Sequence, residues 1–149
     1  MDDERNTIMI NSRSVTIFGV FDGIHDGHRA FISEAKERGD KLVAVVARDE
    51  VVNKLKGKSP INNEASRIKS LLEIPDIDLV FLGDGEEGTY NIVKEIKPDI
   101  IYLGYDQQAL FDNITRAIND GVLPDIELVY GKAHKGDTLH SSILNESRN

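Results

Sequence analysis

Two histidines, His25 and His28, stand three residues apart in a glycine-bearing segment that reads Gly-Val-Phe-Asp-Gly-Ile-His-Asp-Gly-His over residues 19–28. An apolar run precedes this segment and an amphipathic run follows it. A glycine turn between a strand and a helix lets a ligand approach the backbone, and a helix start offers unpaired N–H groups and a positive dipole end. Two imidazoles placed there can face one anion. The segment therefore indicates a phosphate site.

Each residue of this segment also has a simple structural explanation. Gly19, Gly23 and Gly27 suit turns, and Asp26 suits a helix cap. Gly19 could equally let the strand end pass close to a ligand, and Asp22 could accept hydrogen bonds that fix the turn or orient a substrate. The combination favours function, since six fixed positions at about 5% usage each recur by chance at roughly 10⁻⁸ per site. These positions are Gly19, Phe21, Asp22, His25, Gly27 and His28.

Composition excludes several classes of protein. The 149 residues include 18 Lys and Arg against 26 Asp and Glu, a net charge of −8, which is the wrong sign for binding nucleic acid. The chain has no cysteine, so it has no disulfides, and a zinc site at the two histidines would lack thiolate ligands. No apolar run approaches the ~20 residues that cross a bilayer, and residues 1–14 lack a secretory signal. We expect a cytoplasmic protein without membrane partners.

Apolar runs of strand length alternate with helical patterns, which predicts an α/β fold with a parallel sheet. Residues 1–14 are expected to form a flexible arm, and residues 15–149 a single domain. The predicted strands, each covered on both faces, are Val15–Phe18, Leu42–Ala47, Leu79–Leu82, Ile100–Leu103 and Ile126–Tyr130. The predicted helices are His28–Arg38, Glu64–Leu72, Thr89–Ile96 and Ala109–Asn119.

The segment from Gly19 to His28 matches every fixed letter of G-x-F-D-x-x-H-x-G-H, and in this it resembles the cytidylyltransferase-like nucleotidyltransferases. The resemblance implies a doubly wound, Rossmann-like sheet of five parallel strands in the order 3-2-1-4-5. It also implies transfer of a nucleoside monophosphate from a nucleoside triphosphate to a phosphorylated acceptor, with release of pyrophosphate. His25 and His28 would be catalytic groups that bind the nucleotide phosphates. The nucleotide would also contact Gly19, Val20, Phe21 and Gly27.

A second candidate segment follows the fourth predicted strand, where Gly104 stands at the strand end and Asp106 is placed to start a helix. In the order 3-2-1-4-5 the first and fourth strands are neighbours, and ligands bind in the crevice where the winding reverses. We therefore predict that Gly104 and Asp106 bind the nucleotide, a role compatible with Asp106 capping the helix. The run Leu103–Gln107 resembles archaeal FAD synthases. It lacks the Trp that glycerol-3-phosphate cytidylyltransferases usually carry after this Gly and Asp.

Three lysines lie in the segment Lys54–Pro60, which we interpret as a loop marked by glycine and proline. The family resemblance favours Lys56 and Lys58 as phosphate contacts for the substrate and leaves Lys54 unassigned. It also suggests that Arg67 reaches the substrate, although Arg67 could instead pair with Glu64 one helical turn away.

The C-terminal run Lys135–Leu144 aligns with the family's R-T-x-G-I-S-T-S-x-I. Ser141 and Ser142 keep hydroxyls expected to bind nucleotide phosphate. Lys135 replaces the family's catalytic Arg, keeping its charge and losing its bidentate fork. His140 replaces the first Ser. A plain capped terminal helix is the alternative interpretation of this run.

The resemblance favours an adenylyltransferase that joins the AMP of ATP to FMN. The alternative is a CTP-dependent cytidylyltransferase acting on glycerol 3-phosphate or a similar phosphorylated alcohol. A third possibility is a binding module that retains the nucleotide cleft without catalysis. We expect Mg²⁺ as the cofactor, held mainly by nucleotide phosphates, and no metal site built from protein ligands. Family precedent implies a homodimer.

Overall fold

The computed structural model describes residues 12–85 and 89–131, which form a five-stranded, all-parallel sheet in the order β3-β2-β1-β4-β5. The predicted fold class and strand order are confirmed. The strands are β1 Ser14–Gly19, β2 Lys41–Val46, β3 Leu79–Leu82, β4 Ile100–Leu103 and β5 Glu127–Tyr130. The helices in the described ranges are α1 Asp26–Lys36, α2 Asp49–Lys56, α3 Glu64–Leu72, α4 Asn91–Ile96 and α5 Gln108–Asn119.

The central strands are buried on both faces, as their nearly continuous apolar sequences predict. All four residues of β4 are buried, and β2 is buried over Leu42–Val46. One apolar cluster packs α1 and α3 against the sheet, and a second packs α4 and α5 against it. β1 pairs with β2 over its whole length and with β4 at Val15 and Thr16, so the winding reverses between β1 and β4.

The sheet edge at β3 departs from the prediction that every strand is covered on both faces. Leu79 and Phe81 alternate along β3 and are 43% and 36% exposed. Successive side chains of a strand point to opposite faces, so one face of β3 is left partly uncovered. The prediction of full burial is therefore wrong for this edge strand and also for β5, where Glu127 and Tyr130 are exposed.

The segment interpreted as a lysine-bearing loop contains a helix that the sequence analysis missed. Residues Asp49–Lys56 form α2, so Lys54 and Lys56 are helical, and only Lys58 lies in the connection that follows. Gly57 ends the helix at φ 76°, a left-handed conformation that glycine adopts without strain. The α2–α3 loop, residues 57–63, then leads into α3.

Two residues of the predicted N-terminal arm belong to the fold. Ser14 begins β1, and the carbonyl of Arg13 accepts hydrogen bonds from Asp40 N and Lys41 N at 2.8 and 3.2 Å. Residues 1–11 of the predicted arm lie outside the described residues. In the described parts of the chain, no helix has the length and apolar character needed to span a bilayer.

Candidate nucleotide site

The two histidines lie together at the start of α1, directly beyond the carboxyl end of β1. His25 is the N-cap of the helix, and its Nδ1 accepts hydrogen bonds from Gly27 N at 3.1 Å and His28 N at 3.4 Å. The Nδ1 of His28 in turn accepts from His25 N at 3.3 Å. The ring centroids are 3.8 Å apart, so the two imidazoles are neighbours, and their binding of an anion stays a prediction. We call this arrangement the histidine cap.

The histidine cap corrects two details of the sequence analysis. Asp26 is the first residue of α1, and the capping residue is His25. The N–H groups of Gly27 and His28, expected to be unpaired, donate to the His25 ring. An anion at this helix start would therefore meet imidazole nitrogens before those two backbone N–H groups.

The backbone contacts of the histidine cap also fix the tautomer of the neutral rings. A neutral imidazole has one donor nitrogen and one acceptor nitrogen. Both Nδ1 atoms act as acceptors toward the backbone, so both neutral rings carry their proton on Nε2. His25 is exposed and His28 is half-buried. Each ring thus has an Nε2–H group that does not take part in the hydrogen bonds of the cap.

Gly19 and Phe21 shape the turn that leads into the histidine cap. A side chain at Gly19 would place its Cβ 2.9 Å from the Phe21 ring, so the space expected for a ligand against Gly19 is taken by that ring. Phe21 is buried and adopts φ 54°, an uncommon conformation for a residue with a side chain. Its ring centroid lies 5.8 Å from that of His28. Gly19 therefore makes room for the residue that packs beneath the cap.

The β4 end lies beside the β1 end, as the strand order requires. Gln107 links the two, since its Oε1 accepts from Gly104 N at 2.8 Å and its Nε2 donates to Phe18 O at 3.0 Å. The Asp106 carboxylate lies over Gly104, where a Cβ would be 2.9 Å from Oδ1. Gln107, rather than Asp106, is the N-cap residue of α5, so the alternative interpretation of Asp106 as a helix cap is wrong, and its predicted nucleotide contact stays a prediction.

Tyr102 of β4 fixes α1 against this side of the sheet. Its hydroxyl donates to Glu34 Oε1 at 2.8 Å, and its ring packs against Phe31 at a centroid distance of 5.3 Å. Burial and the neighbouring Glu34 carboxylate raise the pKa of Tyr102 to about 12, so the phenol keeps its proton at neutral pH. The helix that carries the histidine cap is thereby tied to β4.

Asp22 binds the α2–α3 loop to the turn after β1. Its carboxylate accepts from Ile61 N at 2.7 Å, Asn62 N at 2.9 Å and Asn62 Nδ2 at 3.0 Å. Desolvation opposes ionisation, but the hydrogen bonds from Asn62 and Ile61 outweigh it and lower the pKa of Asp22. Asp22 thus accepts hydrogen bonds from a distant loop rather than from its own turn, and its role toward a substrate stays a prediction.

Arg67 does not pair with Glu64, as one interpretation expected, and its predicted contact with the substrate stays a prediction. Its side chain is fully buried, so it is turned into the protein, and Glu64 accepts from Asp49 N instead of pairing with Arg67. The guanidinium donates to Val20 O and Ala47 O at 2.9 and 2.8 Å. It also bonds Asn62 O at 3.0 Å and the Asp49 carboxylate at 2.6 Å. Arg67 therefore fastens the turn after β1 to α2 and to the α2–α3 loop.

The remaining predicted site residues are either exposed on the surface or lie outside the described ranges. Lys56 and Lys58 are exposed at and just after the end of α2. Lys135, His140, Ser141 and Ser142 lie outside the described residues, and their assigned roles stay predictions. Asp49 and Gln107 were missed because their partners stand far away in sequence.

Comparison with known proteins identifies the class. The model of the family described as Cytidylyltransferase-like matches residues 16–136, and the chain belongs to that family. The predicted nucleotidyltransferase class is thereby confirmed. The chain is similar to the FAD synthase of Pyrococcus horikoshii, with 42% identity over 104 residues that cover 70% of each chain. It is 49% identical over 90 residues to the FAD synthase of Thermoplasma acidophilum, covering 60% of this chain and 62% of that one.

A solved structure agrees with this assignment of the fold. The lipopolysaccharide core biosynthesis protein from Thermoplasma volcanium GSS1 aligns with a TM-score of 0.75 and 36% identity, covering 83% of this chain and 99% of that chain. The pantoate-beta-alanine ligase from Francisella tularensis aligns at a TM-score of 0.61 and 14% identity, which shows the shared fold alone.

Several FAD synthase matches span less than two thirds of the relative's length.

Proposed function

We propose that this protein transfers AMP from ATP to FMN, forming FAD and pyrophosphate. The observation that carries the proposal is the histidine cap, which presents two imidazoles 3.8 Å apart where β1 ends beside β4. Ligands of doubly wound sheets bind at such a switch point. The likeness to relatives named FAD synthase supports FMN as the acceptor and ATP as the donor.

The proposed reaction needs positioning and charge stabilisation more than proton removal. A phosphate oxygen of FMN attacks the α-phosphorus of ATP, the bond to the bridging oxygen of the β-phosphate breaks, and pyrophosphate leaves. FMN brings its phosphate already ionised, so no general base has to generate the nucleophile. The Nε2–H groups of His25 and His28 would donate to phosphate oxygens as charge develops there. The exposed Lys56 and Lys58 would add positive charge near the acceptor phosphate.

The residues around this site bear on the expected Mg²⁺ ion. Within residues 12–85 and 89–131, no three His, Asp or Glu side chains converge into a metal-binding group. Mg²⁺ tends to keep water ligands and to bind through substrate phosphates. An ion used in the proposed reaction would therefore depend on ATP for much of its coordination.

A two-substrate comparison tests the proposal. The protein is incubated with ATP and FMN, and separately with CTP and glycerol 3-phosphate, and both dinucleotide-type product and pyrophosphate are measured. We expect FAD and equimolar pyrophosphate from the first pair only. Product from the second pair alone would establish the cytidylyltransferase alternative. Nucleotide binding without pyrophosphate from either pair would contradict catalysis and support a binding module.

Two further predictions accompany this function. We propose a homodimer, which sedimentation of the purified chain would test, since a monomer at micromolar concentration would contradict it. We also propose a cytoplasmic location, where ATP and FMN would both be supplied.

A further inference from the structure

The sheet opens between β1 and β4 before these two strands reach their carboxyl ends. Their pairing stops at Thr16 and Ile101, whereas β1 stays paired with β2 as far as Gly19. β4 likewise stays paired with β5 as far as Leu103, and β2 stays paired with β3 to the end of both strands. Among the strand pairs of the described sheet, the opening therefore belongs to the pair that borders the candidate site.

The backbone directions at this opening show which hydrogen bond a continued ladder would make there. The carbonyl of Gly19 accepts a hydrogen bond from the β2 side, and that of Leu103 accepts one from the β5 side. Because neighbouring residues of a strand direct their backbone bonds to opposite sides, Phe18 O and Gly104 N face each other across the opening. In the observed register, Gly104 N would donate directly to Phe18 O if the ladder continued.

The side-chain amide of Gln107 takes the place of that backbone bond. Its Oε1 accepts from Gly104 N at 2.8 Å, and its Nε2 donates to Phe18 O at 3.0 Å. Gln107 is half-buried, and its own N–H donates to Gly104 O at 3.0 Å, so the side chain starts from a fixed point at the β4 end. One amide thus satisfies a backbone donor and a backbone acceptor on two strands. We call it the glutamine rung.

The glutamine rung connects to the histidine cap through both strands. On the β4 side, a Cβ at Gly104 would lie 3.7 Å from Cε1 of Phe31, which stands on α1 three residues after His28. On the β1 side, the strand ends at Gly19, where a Cβ would lie 2.9 Å from the Phe21 ring. The centroid of that ring lies 5.8 Å from the centroid of His28. A change in the separation of the strand ends would therefore shift the cap relative to the β4 end.

We propose that Gln107 is a positioning residue for nucleotidyl transfer, whose amide holds the ends of β1 and β4 at the separation that a bound nucleotide requires. This inference rests on the proposed function and deepens it. A direct bond between Phe18 and Gly104 would close the opening at that point, whereas the glutamine rung satisfies both backbone groups and keeps it open. Ligands of doubly wound sheets bind at this switch point, so the opening sets how nucleotide phosphates meet the two imidazoles.

The first test removes the amide with Gln107→Met, and Gln108→Met is the matched control. Gln108 is the next residue of α5, and it is exposed, with its Nε2 donating to Asp112 on the same helix. We expect Gln107→Met to remain folded in urea titration and to raise the Kd for a non-hydrolysable ATP analogue roughly 3- to 10-fold. Its kcat should fall about 10- to 100-fold through misplacement of the nucleotide, with KM for FMN within about twofold of wild type. Gln108→Met should match wild type.

The second test uses Gln107→Glu and the pH dependence of pyrophosphate release. A protonated carboxyl group has an O–H donor and an acceptor, as the amide has, whereas an ionised carboxylate has no donor. The ionised side chain would face Phe18 O without a proton between them, so kcat relative to wild type should rise as the pH is lowered. Both proteins carry the same histidines, so the ratio removes the effect of their titration. For Gln107→Met the ratio should not change with pH.

These measurements separate the glutamine rung from the proposed function. Wild-type kcat and Kd in Gln107→Met would overturn the rung, as would a loss of kcat that only follows the unfolded fraction. A pH-independent ratio in Gln107→Glu would overturn it as well. A wild type that binds the ATP analogue but forms no FAD would refute the proposed function, while the Kd of Gln107→Met would still decide the rung. A wild type that binds no nucleotide would refute both proposals.

Discussion

The histidine cap and the α2–α3 loop border the same edge of the sheet, yet they are held in place by different kinds of interaction. Every hydrogen bond within the cap joins residues two or three positions apart. Asp22 holds the loop across 39 and 40 residues, and Arg67 bonds Asn62 in the loop and three residues that lie 18, 20 and 47 positions away. The reactive side chains are thus set by local backbone geometry, and the surroundings of the site are set by buried long-range contacts.

This contrast predicts that changes in the cap affect the reaction and that changes in the loop supports affect stability. Arg67 is fully buried, and one guanidinium satisfies three backbone carbonyls and a carboxylate. The cap contains an exposed ring and a half-buried ring, so replacing one of them leaves little unsatisfied in the interior.

The largest expected effect on turnover is that of His28→Ala. By analogy with loss of an oxyanion-hole donor, we expect kcat to fall by about 10²–10³-fold, equivalent to roughly 3–4 kcal/mol of transition-state stabilisation. Rates of pyrophosphate release measure this, and urea unfolding should show a folded protein. In His28→Asn, the side-chain oxygen can accept the hydrogen bond that Nδ1 accepts in wild type, but the variant has no counterpart of Nε2. We expect it to lose activity to a similar extent. Turnover at the wild-type rate in either variant would refute the catalytic role of His28.

Arg67→Met should give the largest loss of stability. Removing the guanidinium leaves buried carbonyl groups without donors. We therefore expect the free energy of unfolding to fall by about 2–4 kcal/mol. This loss is smaller than that for breaking a fully buried ion pair, because Asp49 is partly exposed to water. Urea titration measures the loss. Arg67→Lys keeps the charge and one donor group, so its free energy of unfolding should lie between those of Arg67→Met and wild type. A fully stable Met variant that cannot bind FMN or ATP would instead support direct contact between Arg67 and the substrate.

Asp22→Asn should have the smallest effect, and that effect should depend on pH. Hydrogen bonds from Ile61 and Asn62 lower the pKa of Asp22 in the folded protein. The carboxylate therefore stabilises the fold at pH values above the unfolded pKa of about 3.9, and this contribution is lost as the pH falls through the folded pKa. We expect a loss of about 0.5–1.5 kcal/mol near neutral pH that shrinks on acidification. A difference from wild type that stays constant with pH would contradict this account.

The fold could be predicted from the sequence because its signals are local and repeated. Apolar runs bounded by turns located all five strands, and β3 and β4 have the predicted bounds. The helix α2 was missed because Lys, Gly and Pro at its end suggested a loop, while only Val52 of the helix is buried. The bond between Asp49 and Arg67, which joins α2 to α3, links residues 18 positions apart and leaves no periodic pattern.

The sequence also predicted the local part of the candidate site but not the contacts between distant segments. The spacing of His25 and His28 placed both rings at one helix start, as observed. The inward turn of Arg67 depends on carbonyls of three segments that meet only in the folded chain. The bond from Gln107 to Phe18 O likewise joins residues 89 positions apart, so the sequence alone could not show it.

A crystal structure of the protein with a non-hydrolysable ATP analogue would test the central claim most directly. We predict phosphate oxygens within about 2.7–3.2 Å of Nε2 of both His25 and His28, with the nucleotide lying between the ends of β1 and β4. Phosphates bound away from both rings, with the histidine cap unoccupied beside them, would contradict the account.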